Sequence, residues 1–325
     1  MTCDVYNGGN TVLEGQIEAT YRTVPTTPNA LKLKFSEMSF SRNPQRQDDP
    51  TIDGSVLAQK TDEVDESPSG TLTSIACFND MTFWLYLLMG APVTTGTGPY
   101  VHTYTLTRNC RPSALLQADL RTSQAAMRYR RYLGVMVNSL NWDVLADDQN
   151  LSMDLLIANQ PRPFPTAAFD STLLSFAKQR AVAAKCSIFD VSGANTLGKM
   201  AGCTLAIENG LEGIKQSDGL FGYGDALMGD PKVSGTMRAL FRDSTIADFG
   251  EAQTTKKLVI STTSLDGTAS LVLTLPSVEF SEPAVAVNTK KGLVVETNWM
   301  AHAKTGDAPV TIALTNSVSG ATLFT

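Results

Sequence analysis

The sequence contains two neighbouring acidic stretches, and the first has the residue types of a calcium-binding loop. The segment DDPTIDG at 48–54 places Asp49 and Asp53 in a short turn sequence, as calcium-binding loops do. An EF-hand loop that begins at Asp49 requires a glutamate at position 60, where this chain has Lys60. An ordinary Asp/Pro/Gly turn is therefore favoured, and we predict no metal site.

The second acidic stretch reads DEVDE and comprises Asp62, Glu63, Asp65 and Glu66. Its simplest interpretation is a solvated loop, because a run of like charges is costly to bury. The alternative is an acidic functional surface. Neither interpretation requires catalysis.

A small basic cluster in AAMRYRRY comprises Arg128, Arg130 and Arg131. The chain has 26 Lys and Arg against 32 Asp and Glu, a net charge of −6, and no lysine-rich field accompanies the arginines. Nucleic-acid binding requires a basic stripe. An exposed strand edge or intersubunit salt bridges are therefore favoured over a nucleic-acid site.

No constellation of side chains predicts an enzyme. His102 lies in the strand-like run YVHTYTL and His302 follows WMA, and isolated histidines in strands are more often structural or exposed than catalytic. The sequence contains neither Gly-x-Ser-x-Gly nor HExxH, and FGYGDAL at 221–227 lacks the third glycine of a dinucleotide fingerprint. We predict no enzymatic activity and no cofactor.

Most of the elements that position these residues are predicted to be strands. In LKLKF at 31–35, apolar residues alternate with lysines, and the same period of two recurs in NLSMDLLI at 150–157 and in PVTIAL at 309–314. Glycine and proline turns separate the runs at frequent intervals. This pattern predicts a mainly β protein built from sandwich or barrel domains.

One helix is predicted over 80–89, in FNDMTFWLYLLMGAP. Asn79 or Asp80 could cap its start, and Gly90 could end it. The helix has almost no polar face, so both of its sides should be buried. It could pack on a sheet and also contact a second subunit through Trp84, Leu87 and Leu88, or it could be buried entirely within its own domain. A second, weaker helix is predicted over 169–185.

The chain reads as two tandem domains, 1–160 and 161–325, separated by the proline-rich linker 159–167. A Ser-Gly-Thr segment occurs once in each half, as PSGTLTSIACFND at 68–80 and as VSGTMRALFRDS at 233–244. The glycines of the two segments are 165 residues apart (235 − 70). In each half a long polar loop precedes this segment, 42–68 in the first half and 209–232 in the second. An alternating strand precedes each loop, LKLKF in the first half and CTLAI at 203–207 in the second. A short second helix is predicted at 244–252.

The strongest internal match aligns YLGVMVNSLNWD at 132–143 with SLVLTLPSVEFS at 270–281. The apolar phase slips by one at Ser139 and again at Ser277, which predicts a β-bulge in each strand. These matches indicate an internal duplication. Two unrelated β domains with similar turn sequences are the alternative.

The bulk sequence is compatible with a cytoplasmic chain. Its 325 residues suffice for about two domains. The N-terminal MTCDVYNGGN does not resemble a signal peptide, and the longest apolar run, 81–93, is too short to span a bilayer. Five cysteines without CxxC spacing fit folding in a reducing compartment.

The order of these segments resembles the tail tube (major tail) proteins of long-tailed, non-contractile bacteriophages. The resemblance covers most of 31–157 and rests on the strand, the long loop with DPTIDGS, the Ser-Gly-Thr-Leu strand, the helix and the paired strands that follow. It implies small β-sandwich or barrel domains with a flanking helix, whose sheets join those of neighbouring subunits in a ring. A duplicated chain would form a pseudo-hexameric ring from three subunits.

The resemblance also implies roles and partners. Loop 42–68, with Asp49, Asp53, Asp62, Glu63, Asp65 and Glu66, would contact the adjacent ring, and loop 209–232 could do the same. The implied partners are the tape measure protein and double-stranded DNA in the lumen, with tail terminator and distal tail proteins at the ends. The implied location is the virion, after assembly in the host cytoplasm.

A two-module β-sandwich binding protein, such as a receptor- or carbohydrate-binding tail component, is the alternative function. It predicts a concave site lined with exposed aromatic side chains. Trp84, Trp142 and Trp299 instead lie in apolar helix or strand patterns, which favours the tube. A hydrolase would need a clustered acid/base pair, and we expect none.

Overall fold

The computed structural model describes residues 8–49, 60–121, 127–146, 149–189, 200–217, 219–240, 251, 255–282, 294–303 and 310–320. The fold is mainly β, as predicted, and is consistent with a β-sandwich; no closed barrel forms among the described strands. The first strands are β1 (Val12–Ile17), β2 (Leu31–Leu33), β3 (Glu37–Ser41), β4 (Pro44–Gln47), β5 (Asp62–Glu66), β6 (Ser69–Ile75), β7 (Val93–Thr95), β8 (Tyr100–Thr105), β9 (Ala114–Arg121), β10 (Met127–Asp143) and β11 (Asn150–Leu156).

The helix α1 (Phe78–Met89) lies between β6 and β7, and a 3-10 turn (Gly8–Asn10) precedes β1. The remaining strands are β12 (Ala181–Phe189), β13 (Met200–Glu208), β14 (Glu212–Ile214), β15 (Asp225–Leu227), β16 (Lys232–Leu240), β17 (Lys256–Ser264), β18 (Ser270–Phe280), β19 (Val294–Ala301) and β20 (Thr311–Asn316).

Two sets of strands have the same order of neighbours. In the first set, β1 pairs with β9 and β9 with β10, which continues through β11 and β6 to β3. In the second set, β12 pairs with β17 and β17 with β18, which continues through β19 and β16 to β13. By position, β3 therefore corresponds to β13, and β10 corresponds to β18.

The two predicted slips in hydrophobic phase are confirmed as β-bulges. The pairing of β10 with β11 shifts between Val137 and Ser139. On β18, one extra residue lies between Leu275 and Val278, around Ser277, where the strand pairs with β17. In each case the bulge moves the following apolar side chains back to the buried face.

The predicted alignment of β10 with β18 is nevertheless shifted. The bulge of β10 that faces β9 lies between Tyr132 and Val135, whereas the bulge of β18 that faces β17 lies between Leu275 and Val278. Matching equivalent neighbours gives an offset of 143 residues (275 − 132 and 278 − 135). The amino-acid match suggests 138 (277 − 139), because it aligns Ser277 with the second bulge of β10, at Ser139, and not with the first.

The strand of the first half that corresponds to CTLAI also differs from the predicted LKLKF. Residues 31–33 of LKLKF form β2, which pairs with β1, whereas β3 lies beside β6. The register shows that β3 corresponds to β13 at an offset of 165 (206 − 41 and 234 − 69). The pairs are Met38 with Leu72 and Ser41 with Ser69 in the first set, and Cys203 with Met237 and Ala206 with Ser234 in the second.

Among the described strands, two pairs join the N-terminal and C-terminal halves of the chain. Residues 139–143 of β10 pair with residues 204–208 of β13, and β20 pairs with β8 over six positions. The buried apolar cluster likewise runs through both halves, from Leu13 and Trp84 to Trp299 and Leu314. The halves therefore share both hydrogen bonds and core.

Asn209 is a buried polar contact between the halves. Its Nδ2 donates to the carbonyl oxygens of Leu88 (2.9 Å) and Val137 (3.0 Å). Its Oδ1 accepts from Nε and Nη2 of Arg111, both at 3.3 Å. Arg111 is itself buried and donates to the carbonyl of Met89 at the end of α1, at 3.2 Å. One amide side chain thus ties β13 to the helix end and to β10.

Helix α1 begins at Phe78, two residues before the predicted start. Its N-cap is Cys77, without a side-chain hydrogen bond to the helix, so neither Asn79 nor Asp80 caps it. Asp80 instead pairs with Nζ of Lys34 at 3.1 Å, and Asn79 donates to the carbonyl of Ala177. The C-terminal end at Gly90 is as predicted, with φ at 93°, a conformation that glycine adopts without strain.

The weaker helix predicted over 169–185 is wrong. Residues 169–180 are irregular, and β12 begins at Ala181. The backbone of Leu174 bonds to both Ala30 and Lys32, at 2.9 and 2.8 Å, so this segment lies along the edge of β2. Its backbone groups therefore find partners outside a helix. Apart from Glu251, the helix predicted at 244–252 lies outside the described residues.

Both Ser-Gly-Thr glycines lie beneath an aromatic ring. A Cβ on Gly70 would lie 2.4 Å from Cδ1 of Phe40. A Cβ on Gly235 would lie 2.0 Å from the carbonyl oxygen of Thr204 and 2.6 Å from the ring of Trp299. The shared glycine is thus explained by close packing within each sheet.

Replacing Gly235 by alanine is expected to lower the free energy of unfolding by about 2 kcal/mol, because the new methyl group overlaps backbone and an indole ring. Urea unfolding of the purified chain measures the change. Gly8→Ala is the control, since nothing lies within 4 Å of its Cβ position. Equal stability of the two variants would contradict the packing argument.

Candidate assembly surfaces

Loop 42–68 is a β-hairpin at its base. Strands β4 and β5 pair antiparallel, and the residues between 49 and 60, including Asp53, lie outside the described part. Asp49 and Asp62 are exposed near this end of the hairpin. We call the segment 42–66 the arm.

The other acidic residues of the arm bind within the chain. Arg42 forms ion pairs with both Glu63 and Glu66. Glu66 is only 2% exposed, and its Oε1 accepts from the backbone N–H of Gln160 at 3.2 Å. These contacts fix the root of the arm, and they correct the interpretation of DEVDE as a solvated loop.

Asp65 connects the arm to the second long loop, 209–232. Its carboxylate pairs with Nζ of Lys215 and accepts from the backbone N–H of Gly222 at 3.1 Å. Burial alone would raise the pKa of Asp65, but the hydrogen bonds from Lys215, Gly222 and Glu66 outweigh it and hold the pKa below its ordinary value. The two loops therefore lie together on one chain, which the sequence did not indicate.

The second loop is tied down at Phe221–Tyr223. Arg22 Nη2 donates to the carbonyl of Phe221 at 2.6 Å, and the N–H of Tyr223 donates to the carbonyl of Ala158 at 2.9 Å. Leu220 and Phe221 nevertheless remain 60% and 44% exposed. This loop therefore presents apolar surface beside the arm.

The basic cluster makes contacts within the chain. Arg128 is exposed, whereas the guanidinium of Arg130 lies 3.8 Å from the ring centre of Phe164. Arg131 donates to Oε1 of Gln117 at 2.8 and 3.0 Å. Burial holds the pKa of Arg131 below its ordinary value, and the nearby charges of Glu14 and Asp119 offset only part of this effect. The predicted intersubunit salt bridges of these three arginines remain a prediction.

A buried acidic group beneath Arg131 was missed by sequence reasoning. Glu14, Gln117 and Asp119 are each at most 1% exposed, on the neighbouring strands β1 and β9. Gln117 Nε2 donates to Asp119 at 3.0 Å. Burial, followed by the hydrogen bond and charge of Asp119, raises the pKa of Glu14 to about 8. In the sequence, this group was indicated only by a glutamate within the strand VLEGQI.

The helix residues proposed for subunit contacts lie in the core of their own chain. Trp84, Leu87 and Leu88 are 0% exposed, because α1 packs against β8, β10 and β20. Of the twelve helix residues only Tyr86 is partly exposed. The alternative of burial within the chain is therefore correct, and these three side chains have no surface for another subunit.

Each strand set carries a groove on its polar face. The larger, about 850 Å³, is lined by Thr204, Ala206, Ser234, Gly235, Thr236, Asn298, Trp299, Met300, by Glu279 and Phe280 of β18, and by others. The smaller, about 500 Å³, is lined by Ser39, Ser41, Ser69, Gly70, Thr71, Asp154, Leu155, Leu156 and others. Phe280 and Trp299 are the aromatic residues lining the larger groove, and both are buried. Neither groove offers the aromatic platform expected of a carbohydrate site.

The two histidines occupy different settings. His102 is fully buried, between Thr94 Oγ1 and the carbonyl of Val318, each at 2.9 Å, and burial lowers its pKa. His302 lies 3.3 Å from Glu279 on the larger groove, where both side chains are about half exposed.

Among the described residues, no cluster of three or more His, Cys, Asp or Glu side chains could hold a metal ion. In the same part of the chain, no helix is long and apolar enough to cross a membrane.

The chain is similar to a known protein family. No curated protein matches the chain. A family model described as phage tail tube protein matches residues 10–301, which include the arm, α1 and both strand sets. The match extends over far more than half of the sequence, and the chain therefore belongs to the phage tail tube protein family.

Proposed function

We propose that this protein polymerises into stacked rings that form the tail tube of a long-tailed, non-contractile bacteriophage, the conduit for DNA delivery. Family membership identifies a structural virion protein that assembles into a tube. The observation that carries the ring proposal is the repeated order of neighbours, β1-β9-β10-β11-β6-β3 and β12-β17-β18-β19-β16-β13.

This repeat supports an internal duplication, with copies at 1–160 and 161–325. The grooves add to it, because Ser39, Ser41 and Ser69-Gly70-Thr71 correspond at an offset of 165 to Thr204, Ala206 and Ser234-Gly235-Thr236 (204 − 39 and 234 − 69). Two copies per chain would give a ring of three subunits with pseudo-sixfold symmetry. Closed rings protect strand edges that would otherwise template aggregation.

Contacts between rings are assigned to the arm. Asp49 and Asp62 are exposed towards its end, and Asp53 belongs to the segment between them. The apolar surface at Leu220 and Phe221 lies beside its root and could join the same contact. Glu63, Asp65 and Glu66 would support stacking indirectly, by holding the arm to the body.

The proposed lumen would contain the tape measure protein and later double-stranded DNA. A net charge of −6 suits such a conduit, because a wall of like charge does not retain phosphates. Tail terminator and distal tail proteins would bind the two ends. Assembly would take place in the host cytoplasm, and no enzymatic activity is proposed.

Electron microscopy of the concentrated protein and of virion tails tests the proposal. Rotational averaging should give threefold rings with a six-fold pseudo-repeat, stacked into tubes. Rings of six chains would overturn the proposed subunit number. A particle that remains monomeric at all concentrations, and is absent from tails, would overturn the tube function itself.

Replacing residues 50–59 by Asn-Gly is expected to abolish tubes while leaving single rings. The replacement shortens the arm beyond its paired base, and Asn-Gly suits a tight hairpin turn. Negative-stain imaging counts tubes and rings. Asn-Gly in place of Asp266-Gly267, in the turn between β17 and β18, is the control and should leave tubes intact. Normal tubes from the shortened arm would show that stacking lies elsewhere.

A further inference from the structure

One part of the second long loop contacts both strands at the base of the arm. Lys215 pairs with the carboxylate of Asp65 on β5, and the backbone N–H of Gly222 donates to the same carboxylate at 3.1 Å. Lys215 Nζ also donates to Oε1 of Gln45 on β4, at 3.5 Å. We call Lys215 together with residues 219–223 the strap.

The other side of the strap is bound to the body of the chain. The N–H of Tyr223 donates to the carbonyl of Ala158, just after β11, at 2.9 Å, and Arg22 Nη2 donates to the carbonyl of Phe221 at 2.6 Å. Arg22 has φ at 61°, which is uncommon for a residue with a side chain. Its N–H donates to the buried carboxylate of Glu18 at 3.0 Å, which supports this conformation. The strap therefore bridges the body and the arm.

Gly222 lets the strap approach the body closely. Its φ is 90°, and a Cβ at this position would lie 2.0 Å from the carbonyl oxygen of Ala158 and 3.5 Å from Oε1 of Glu66. Gly219, in the same loop, has φ at 75°, but nothing lies within 4 Å of its Cβ position. Both glycines adopt a backbone conformation that favours glycine, and close packing distinguishes Gly222.

The strap does not cover the apolar side chains beside the arm. Leu220 and Phe221, which belong to the strap, are exposed, and so is Val64 on β5. Val64 is the extra residue of the bulge at which β5 pairs with β4. A strap that inhibited assembly would bury such surface. This strap binds the base of the arm and leaves the apolar surface accessible.

We propose that the strap orients the arm in the unassembled chain, so that the arm is ordered before two copies associate. This inference rests on the proposed tube function and specifies how the arm is positioned for it. Groups that are ordered beforehand lose less conformational freedom on association. Because the side chain of Lys215 is 42% exposed, salt should weaken its ion pair with Asp65 and loosen the strap.

Distance measurements on the unassembled chain test the proposal. Spin labels are attached to a genetically encoded ketone amino acid at Gln47, exposed on β4, and at Ser152, exposed on β11. Double electron–electron resonance should give one narrow distance distribution for the otherwise unaltered chain. Gly222→Ala should broaden this distribution, whereas Gly219→Ala, the matched control, should leave it narrow. Lys215→Met changes an exposed side chain and should also broaden the distribution, so the test remains valid if Gly222→Ala fails to fold.

Tube formation followed by light scattering supplies the second readout. Gly222→Ala should form tubes about tenfold more slowly than Gly219→Ala, because the arm is then ordered during association. Equally narrow distributions for Gly222→Ala and Lys215→Met, or a broad one for the unaltered chain, would overturn the strap and leave the tube function standing. A broadened distribution with unchanged rates would overturn its role in assembly. A narrow distribution in wild-type protein that never assembles would overturn the tube function and, with it, that role.

Discussion

Replacing Asn209 by alanine is expected to lower the free energy of unfolding by about 3 kcal/mol, among the largest effects of any single substitution in this chain. The variant leaves the carbonyl groups of Leu88 and Val137 without the amide that now donates to them at 2.9 and 3.0 Å. It also removes the carboxamide oxygen that accepts from the buried guanidinium of Arg111. Buried groups that lose their partners bear their full desolvation cost.

The loss of stability in this variant arises where the N-terminal and C-terminal halves of the chain are in contact. The side chain of Asn209 links β13 to the end of α1 and to β10, next to the pairing of residues 139–143 with residues 204–208. Equilibrium urea unfolding of the unassembled chain should therefore show a lower midpoint. Asn141→Ala is the control, since Asn141 is exposed on the same strand pair, and its change should stay within about 0.5 kcal/mol. Similar midpoints for the two variants would contradict the role given to Asn209.

The sequence could predict the class of fold because alternation and bulges are local. Period-two patterns identify buried faces, and a slip of one residue at Ser139 or Ser277 forces a local irregularity wherever the strand lies. Helix α1 was predictable for the same reason. Its continuous apolar run indicated burial, but the pattern could not separate burial within the chain from contact with another subunit.

Pairing partners could not be predicted, because alternation carries no information about the neighbour. LKLKF and EMSFS are both plausible partners for the Ser-Gly-Thr strand, and only the register places β3 there. The contacts of Asp65 with Lys215 and Gly222 join residues about 150 positions apart, which no local pattern indicates. The sequence therefore identified the segments that form the candidate surfaces. It did not identify the ion pairs and hydrogen bonds that hold these segments in place.

Glu14 shows a further limit, because a charged residue in an alternating strand is ordinarily assigned to the exposed face. Here that face is covered, and the side chain is 1% exposed. The charged groups that face it are Asp119 on β9, Asp170 beyond β11 and Arg131 on β10. Burial and the two carboxylates favour the neutral acid, which can donate to Asp119, and this raises the pKa of Glu14 to about 8.

Glu14→Gln is therefore expected to stabilise the protein at neutral and alkaline pH. The pKa of Glu14 rises from 4.5, its ordinary value, to about 8 in the fold, so the folded chain holds a proton that the unfolded chain has released between these values. The contribution of Glu14 to the free energy of unfolding is fully present below pH 4.5. It falls by about 1.4 kcal/mol for each pH unit as pH rises towards 8. Glutamine keeps a donor for Asp119 and cannot ionise. The gain at pH 7 should be about 3 kcal/mol.

Urea unfolding at intervals from pH 4 to pH 9 measures this difference. The two proteins should have similar stability near pH 4, and the wild type should fall progressively below the variant as pH rises. Glu212→Gln removes the same charge from an exposed site on β14, so its curve should follow the wild type. Parallel curves for Glu14→Gln and wild type would mean that Glu14 is ionised in the fold.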